Sequence, residues 1–301
     1  MRCLDLYADT DCPFPASSAI ALGNFDGVHI GHRALFAALG DGMPRAVFTF
    51  ADLRREGLIC PLSERLALIR ECGVRFALVC DFAEVRSLSP ERFAELLFCD
   101  LGVKRAVCGY NFTFGDGGHA TADALAALAF ERGAEAVKVG AVELGSEPVS
   151  STRIRGLIRS GDMTGAAQLL GRPYGFSLPV VHGRRLGSAM GYPTVNQLIP
   201  ECLESPRFGV YASRCHARGR VFGAVTNIGV RPTVDGESLS AETHIFDCSD
   251  DLYGESVRVE LLAFLREERR FSSVDELFGQ IARDADRARA LLAGDTPPSE
   301  V

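Results

Sequence analysis

The stretch Gly23-Asn24-Phe25-Asp26-Gly27-Val28-His29-Ile30-Gly31-His32 decides how this chain is read. It follows an apolar run, Ala19-Ile20-Ala21-Leu22, and leads into a helix-like one, Ala34-Leu35-Phe36-Ala37-Ala38-Leu39. A strand, a glycine-containing loop and a helix are thus laid end to end. Glycines let the backbone turn sharply and approach a ligand closely, and unpaired N–H groups at a helix start attract anions. His29 and His32 stand three residues apart, so on a first helical turn they point to the same side. A metal pair or two surface histidines would account for the imidazoles, but not for the glycines or the strand-to-helix position. A phosphate chain accounts for all of them, with Gly23, Asn24, Phe25, Asp26, His29 and His32 as candidates for holding it.

Outward from this stretch, short apolar runs alternate with amphipathic ones. Expected strands are Ala19–Leu22, Ala46–Phe50, Phe76–Cys80, Arg105–Cys108 and Ala136–Val142; expected helices are Ala34–Leu39, Ser63–Cys72, Pro90–Cys99 and Ala122–Arg132. Ser89-Pro90-Glu91 is a helix start, with a capping serine, proline at the first helical position and an early acid. Such alternation implies a mainly parallel sheet covered by helices. Ligands of these sheets bind beyond the C-terminal strand ends, where the Gly23–His32 loop falls.

The rhythm changes after Leu170-Gly171-Arg172-Pro173. Short β-like runs follow at Ser177–Val181, Gly209–Arg214, Val221–Ile228, Thr243–Phe246 and Val257–Phe264, and no long helix intervenes before Ser273–Leu292. This half reads as an antiparallel barrel or sandwich closed by a helix. The expected organisation is an α/β domain over 1–172, a β domain over 173–294 and a disordered tail over 295–301.

Composition narrows the function. The 301 residues carry a formal net charge of −7, with 47% hydrophobic and 24% charged side chains, as in ordinary globular proteins. An acidic balance argues against nucleic acid, whose binders carry a basic face. The ten cysteines form no C-x-x-C pair, and several, such as Cys80, lie in apolar runs. That usage suits a reducing cytoplasm. No apolar run reaches the length of a membrane span, and the start of the chain lacks the basic and apolar segments of a signal peptide. Oligomeric state is not legible.

Three further motifs carry chemistry, two in the first half and one near the start of the second. Val149-Ser150-Ser151-Thr152-Arg153-Ile154-Arg155 precedes an expected helix at Gly156–Ser160. Its hydroxyls either cap the helix or donate to phosphate oxygens, and Arg153 is suited to bidentate phosphate contact. Gly109-Tyr110-Asn111-Phe112-Thr113-Phe114-Gly115 follows a strand; Phe112 and Phe114 are either core residues or the lining for a flat aromatic ligand, with Asn111 at its polar edge. Then His182-Gly183-Arg184-Arg185-Leu186-Gly187 and Met190-Gly191-Tyr192-Pro193-Thr194-Val195-Asn196 form a glycine-rich flap. Backbone N–H groups at Gly183, Gly187, Gly191 and beside Pro193 suit phosphates. Thr194 and Asn196 offer neutral oxygens to Mg²⁺, or else form a proline turn in which Asn196 caps its own backbone.

The H-x-G-H spacing resembles the signature of nucleotidyltransferases. With Gly109–Gly115, Ser150–Arg155 and the Leu170-Gly171-Arg172-Pro173-Tyr174 junction, the chain is similar to the prokaryotic bifunctional riboflavin kinase/FMN adenylyltransferase family. Thr226-Asn227-Ile228-Gly229-Val230-Arg231-Pro232-Thr233, Glu242-Thr243-His244-Ile245-Phe246-Asp247 and Leu265-Arg266-Glu267-Glu268-Arg269-Arg270-Phe271 resemble its barrel motifs. The resemblance implies a Rossmann-like nucleotidyltransferase domain and a C-terminal Greek-key kinase barrel. It implies ATP, riboflavin, FMN and FAD as substrates and products, and Mg²⁺ as cofactor.

By that resemblance His29 and His32 contact ATP phosphates in AMP transfer, Asn111 contacts the nucleotide or flavin phosphate, and Ser151, Thr152 and Arg153 hold the phosphate tail. Glu242 is the base that accepts the riboflavin 5′-hydroxyl proton, Asn227 lies with ATP, and Arg266, Glu268 and Phe271 lie with flavin. One stretch departs from the family: Thr49-Phe50 is followed by Ala51-Asp52-Leu53-Arg54 where Pro-His-Pro is usual. Two rival readings stand beside this one, a kinase whose N-terminal half has drifted and a flavin-binding regulatory module without turnover.

Overall fold

A computed structural model describes residues 1–51, 57–182, 194–233, 236–248, 250–269 and 271–294. The chain divides into two compact units, Met1–Ser151 and Thr152–Val301.

The first unit contains β1 (Arg2–Asp5), β2 (Thr10–Asp11), β3 (Ala19–Leu22), α1 (Ile30–Ala37), β4 (Arg45–Phe50), α2 (Leu62–Glu71), β5 (Phe76–Cys80), α3 (Phe82–Val85) and α4 (Pro90–Glu95). It continues through β6 (Arg105–Gly109), β7 (Thr113–Phe114), β8 (Ala120–Thr121), α5 (Ala122–Glu131), β9 (Glu135–Val139), β10 (Glu143–Leu144) and β11 (Glu147–Pro148). The main sheet has the order β2-β1-β5-β4-β3-β6-β9. Its five strands from β5 to β9 are parallel, and β1 and β2 join antiparallel at one edge.

Central strand β3 is buried along its whole length, and its alternate residues feed two cores. Ile20 and Leu22 pack with Phe48, Phe93, Leu97 and Leu125. Ala19 and Ala21 pack on the opposite face with Phe36, Leu39 and Ile69. The chain runs from β3 outward through β4 to β5, then returns to β6 on the other side of β3. That reversal is the switch point at which open α/β sheets bind ligands.

The expected Ser89 cap is present, its hydroxyl accepting from the N–H of Arg92 at 3.2 Å with Pro90 as first helical residue. The helix expected over Pro90–Cys99 changes after Glu95 into a π-helical turn over Leu96–Asp100.

The helix expected to start at Gly156 instead starts at Ser151, as α6 (Ser151–Ser160), and α7 (Met163–Leu170) follows it. Ile154, Arg155 and Ile158 are its buried residues, so the apolar stripe begins before Gly156 and draws the Ser-Thr-Arg triplet into the first turn.

The second unit is built on β12 (Tyr174–Pro179), β13 (Thr194–Leu198), β14 (Gly209–Ala217), β15 (Arg220–Thr233), β16 (Gly236–Ile245) and β17 (Ser256–Arg266), followed by α8 (Val274–Gly294). All pairings in the order β12-β17-β14-β15-β16-β13 are antiparallel. An antiparallel bridge between Val181 and Asn196 joins the two ends, curling the sheet into a barrel. Strand β13 was not expected from sequence, and it carries both residues assigned to Mg²⁺.

Inside the barrel a hydroxyl chain links Ser213 to Thr226 at 2.7 Å and Thr226 to Thr243 at 3.0 Å. All three are fully buried and mutually satisfied, which removes the penalty of burying them. On the other face Ala285 and Ala288 of α8 pack with Val210, Ala212, Val225 and Leu265.

Candidate functional site

The Gly23–His32 motif forms the turn from β3 into α1. Three left-handed residues shape it: Phe25 at φ +53°, Gly27 at +78° and Val28 at +43°. Left-handed backbone at a phenylalanine and a valine costs roughly 1–3 kcal/mol each, and persists only where surroundings impose it. Asp26, 3% exposed, supplies part of that restraint by accepting from the N–H groups of Ile59 at 2.9 Å and Cys60 at 3.4 Å. Gly27 is required, because a Cβ there would lie 2.8 Å from Ile59 Cγ2. Phe25 packs 5.0 Å from Phe36 and edge-on to His32 at 5.3 Å.

His29 caps α1, its Nδ1 accepting from the His32 N–H at 3.3 Å. The two imidazoles stack with centroids 3.5 Å apart and 18° between planes. Burial pushes the His32 pKa well below the ordinary histidine value, and His29 and Arg65 add to the same direction. His32 is therefore neutral at neutral pH and keeps one N–H donor.

The loop after β6 leaves the same sheet edge as the loop after β3, because the two strands are adjacent and parallel. It places Asn111 on the surface at that edge. Phe114 is buried against Phe93 at 5.3 Å, so it occupies the core alternative. Phe112 stacks on it at 5.7 Å and remains half-buried. Ser151 opens α6 and donates its hydroxyl to the Asp26 carbonyl at 3.1 Å. Thr152 and Arg153 follow in the same helical turn, exposed and half-buried respectively. Ala51 continues the β4 ladder by donating to Cys80 at 2.9 Å. Asp52, Leu53 and Arg54 lie outside the described residues.

One residue escaped the sequence reading. Arg65 of α2 is 1% exposed and donates to the carbonyls of Asn24 at 2.8 Å and Phe50 at 2.6 Å. It thereby ties the Gly23–His32 loop to the end of β4.

In the barrel, register makes the arrangement. Glu242 on β16 is the direct partner of Asn196 on β13 and of Asn227 on β15. Directly paired residues share a face, so the three side chains form a row across three strands, with Thr194 two residues before Asn196. Asn196 is 5% exposed and its Nδ2 lies 3.5 Å from Thr194 Oγ1. Glu242 is exposed and Asn227 half-buried. The row extends to Glu268, whose Oε1 accepts from Asn227 Nδ2 at 3.0 Å.

Arg266 is held elsewhere. It makes a bidentate pair with Asp284 of α8, at 3.0 and 2.8 Å to Oδ2, and its guanidinium lies 5.8 Å from the Phe271 ring centroid. Gly183, Gly187, Gly191 and Pro193 lie outside the described residues. Among the described residues there is no group of three or more His, Cys, Asp or Glu side chains able to hold a metal. No helix among them is long and apolar enough to cross a membrane.

Comparison with known proteins agrees with this division. The family model for FAD synthetase matches residues 12–153, and that for riboflavin kinase matches residues 170–292. A bifunctional riboflavin kinase/FMN adenylyltransferase of Bacillus subtilis (strain 168) is 33% identical, over 91% of this chain and 92% of its own length. The protein of the same name from Escherichia coli (strain K12) is 35% identical, over 93% and 94%. A solved structure titled as a macrolide-efflux protein from Streptococcus pneumoniae matches with a TM-score of 0.83 and 33% identity, covering 91% of this chain and 94% of that one. Two phosphate-transfer modules in this order, matched over nearly the whole length, show that the chain belongs to the bifunctional riboflavin kinase/FMN adenylyltransferase family.

Proposed function

We propose that the barrel row Asn196–Glu242–Asn227 and the His29–His32 stack are the centres of the two reactions of this enzyme. It phosphorylates riboflavin to FMN and adenylylates FMN to FAD, with ATP as donor in both. The observation that carries the kinase reading is the register that sets an exposed carboxylate between two carboxamides.

Glu242 accepts the proton of the riboflavin 5′-hydroxyl as its oxygen attacks the γ-phosphorus and ADP leaves. A positioned carboxylate contributes typically 10²–10⁴-fold in such a step, so about two orders of magnitude are asked of it. The donor set of Thr194 and Asn196 fits Mg²⁺: both offer neutral oxygens on one strand face, and magnesium takes few protein ligands beside phosphate and water. Bound there, the ion would neutralise phosphate charge. Asn227 lies with ATP and Glu268, its hydrogen-bond partner, with flavin, whereas Arg266 supports the site through Asp284.

In adenylyl transfer an FMN phosphate oxygen attacks the α-phosphorus of ATP and pyrophosphate leaves. His29, His32 and the N–H groups at the start of α1 face the phosphates, with Gly23, Asn24, Phe25 and Asp26 shaping the loop. Ser151, Thr152 and Arg153 hold the phosphate tail and Asn111 the nucleotide or flavin phosphate. Thiols in apolar surroundings, such as Cys80, Cys108 and Cys215, suit a reducing compartment, and we place the enzyme in the cytoplasm.

Incubation with riboflavin, ATP and Mg²⁺ followed by separation of flavins tests the reading. FMN and then FAD are expected. FMN without FAD would support the drifted-domain rival, and neither product would support the binding module.

A further inference from the structure

Arg65 is a buried cation that neither reaction, as written above, uses. Among the described residues no carboxylate forms a salt bridge with it, although Asp26 is near enough to act on its charge. Its two Nη groups donate to the carbonyls of Asn24 and Phe50, and its Nε is buried without a partner among the described residues. Arginine is rarely buried in this way, because an unpaired charge removed from water is strongly disfavoured. A cation retained there implies a use for its charge or its fork.

The surroundings indicate which. Asn24 belongs to the Gly23–His32 loop, and its carbonyl also accepts from Thr49 Oγ1 at 3.1 Å. Phe50 ends β4, next to β3 in the sheet. One planar group thus spans the carboxyl ends of two adjacent strands, where lysine's single ammonium would lack the fixed geometry.

We propose that Arg65 is a positioning residue for adenylyl transfer: its fork fixes the Asn24 and Phe50 carbonyls and so holds the loop that leads to His29 and His32 in place. The proposal rests on the reading of Gly23–His32 as the ATP-phosphate loop.

The test uses the full-length enzyme and the variants R65K and R65M. In R65M, kcat for FMN to FAD should fall about 100-fold, the size of loss that misplacing a site by an ångström produces. KM for ATP should change far less, and riboflavin phosphorylation should serve as an unaltered control. R65K should recover only part of kcat, because it restores charge without the fork.

Wild-type kcat in R65M, whether or not its melting temperature falls, overturns the proposal. If R65M does not fold, R65K decides: full activity in R65K overturns it, because lysine restores the charge without the fork. Replacing His29 and His32 tests the loop reading separately. Persistent FAD synthesis in that double variant would reject the site, whereas its loss alongside an active R65M would reject only the role of Arg65.

Discussion

Glu242 stands directly opposite Asn196 in the antiparallel ladder between β16 and β13, and so on the same face of the barrel. The pairing matters for the proposed reaction, in which the base and a residue offered to Mg²⁺ must meet without relying on loop flexibility. Glu242→Gln keeps the shape and removes the proton acceptor. FMN formation should fall by roughly 100-fold or more, with riboflavin binding retained in equilibrium titration. Near wild-type turnover would remove Glu242 from its assigned role.

His29 and His32 test the other centre. Replacing both by alanine should abolish FAD formation from FMN and leave FMN formation intact, since the kinase row is built on other strands in a separate compact unit. Loss of both activities in a folded double variant would contradict the assignment of two independent centres.

Gly229 offers a sharper probe of the flavin side of the barrel. A Cβ at this position would fall 2.2 Å from Glu268 Oε1. The carboxylate is the far end of a flexible side chain, so Gly229→Ala should leave the melting temperature little changed. It should nevertheless break the Asn227–Glu268 hydrogen bond, worth about tenfold for a charged acceptor. Riboflavin KM should rise by that order. An unchanged KM would remove this contact from flavin binding.

Asp284 is expected to act through structure. Its carboxylate is buried, accepts from Arg266, and receives Gln280 Nε2 at 2.8 Å. Asp284→Ala leaves the Arg266 guanidinium without its carboxylate, at a cost of about 3 kcal/mol in unfolding free energy. Calorimetry should show the loss in one unit of the protein. A cost below about 1 kcal/mol would mark the pair as an ordinary surface bridge.

The sheet was legible where periodicity and burial agree. Ala19–Leu22 and Phe76–Cys80 match their expected bounds because both strands are short, wholly apolar and bounded by turn residues. Strands β1 and β2 carry no strand signal in sequence, since Arg2-Cys3-Leu4-Asp5 mixes polar and apolar residues and the edge strand Thr10-Asp11 is polar and exposed. Thr194–Leu198 was read as a turn and metal-binding segment because Pro193 and Asn196 dominated it, although every residue pairs with β16. Site residues within motifs were readable, but Arg65 was not. A charged residue in Leu62-Ser63-Glu64-Arg65-Leu66 reads as solvent-facing on an amphipathic helix, and only the fold shows that it points inward.

The loop that departs from the family gives the most exposed prediction. Ala51-Asp52-Leu53-Arg54 stands where the family usually has Pro-His-Pro after one residue, so two fixed φ angles and an imidazole are missing from the stretch that follows β4. The strand leading into it is intact, with Phe50 held by Arg65 and Ala51 still bonded to Cys80. Any loss is therefore confined to preorganised phosphate contacts, which act on the transition state more than on the fold. Arg54 supplies a positive charge in this stretch, but not the ring of an imidazole. FAD synthesis should be slower than FMN synthesis, and FMN should accumulate in time courses started from riboflavin. FAD rising with no FMN build-up would show that the loop costs the adenylyltransferase nothing. Restoring Pro-His-Pro at 52–54 should then speed FAD formation selectively, leaving the rate of FMN formation as it was.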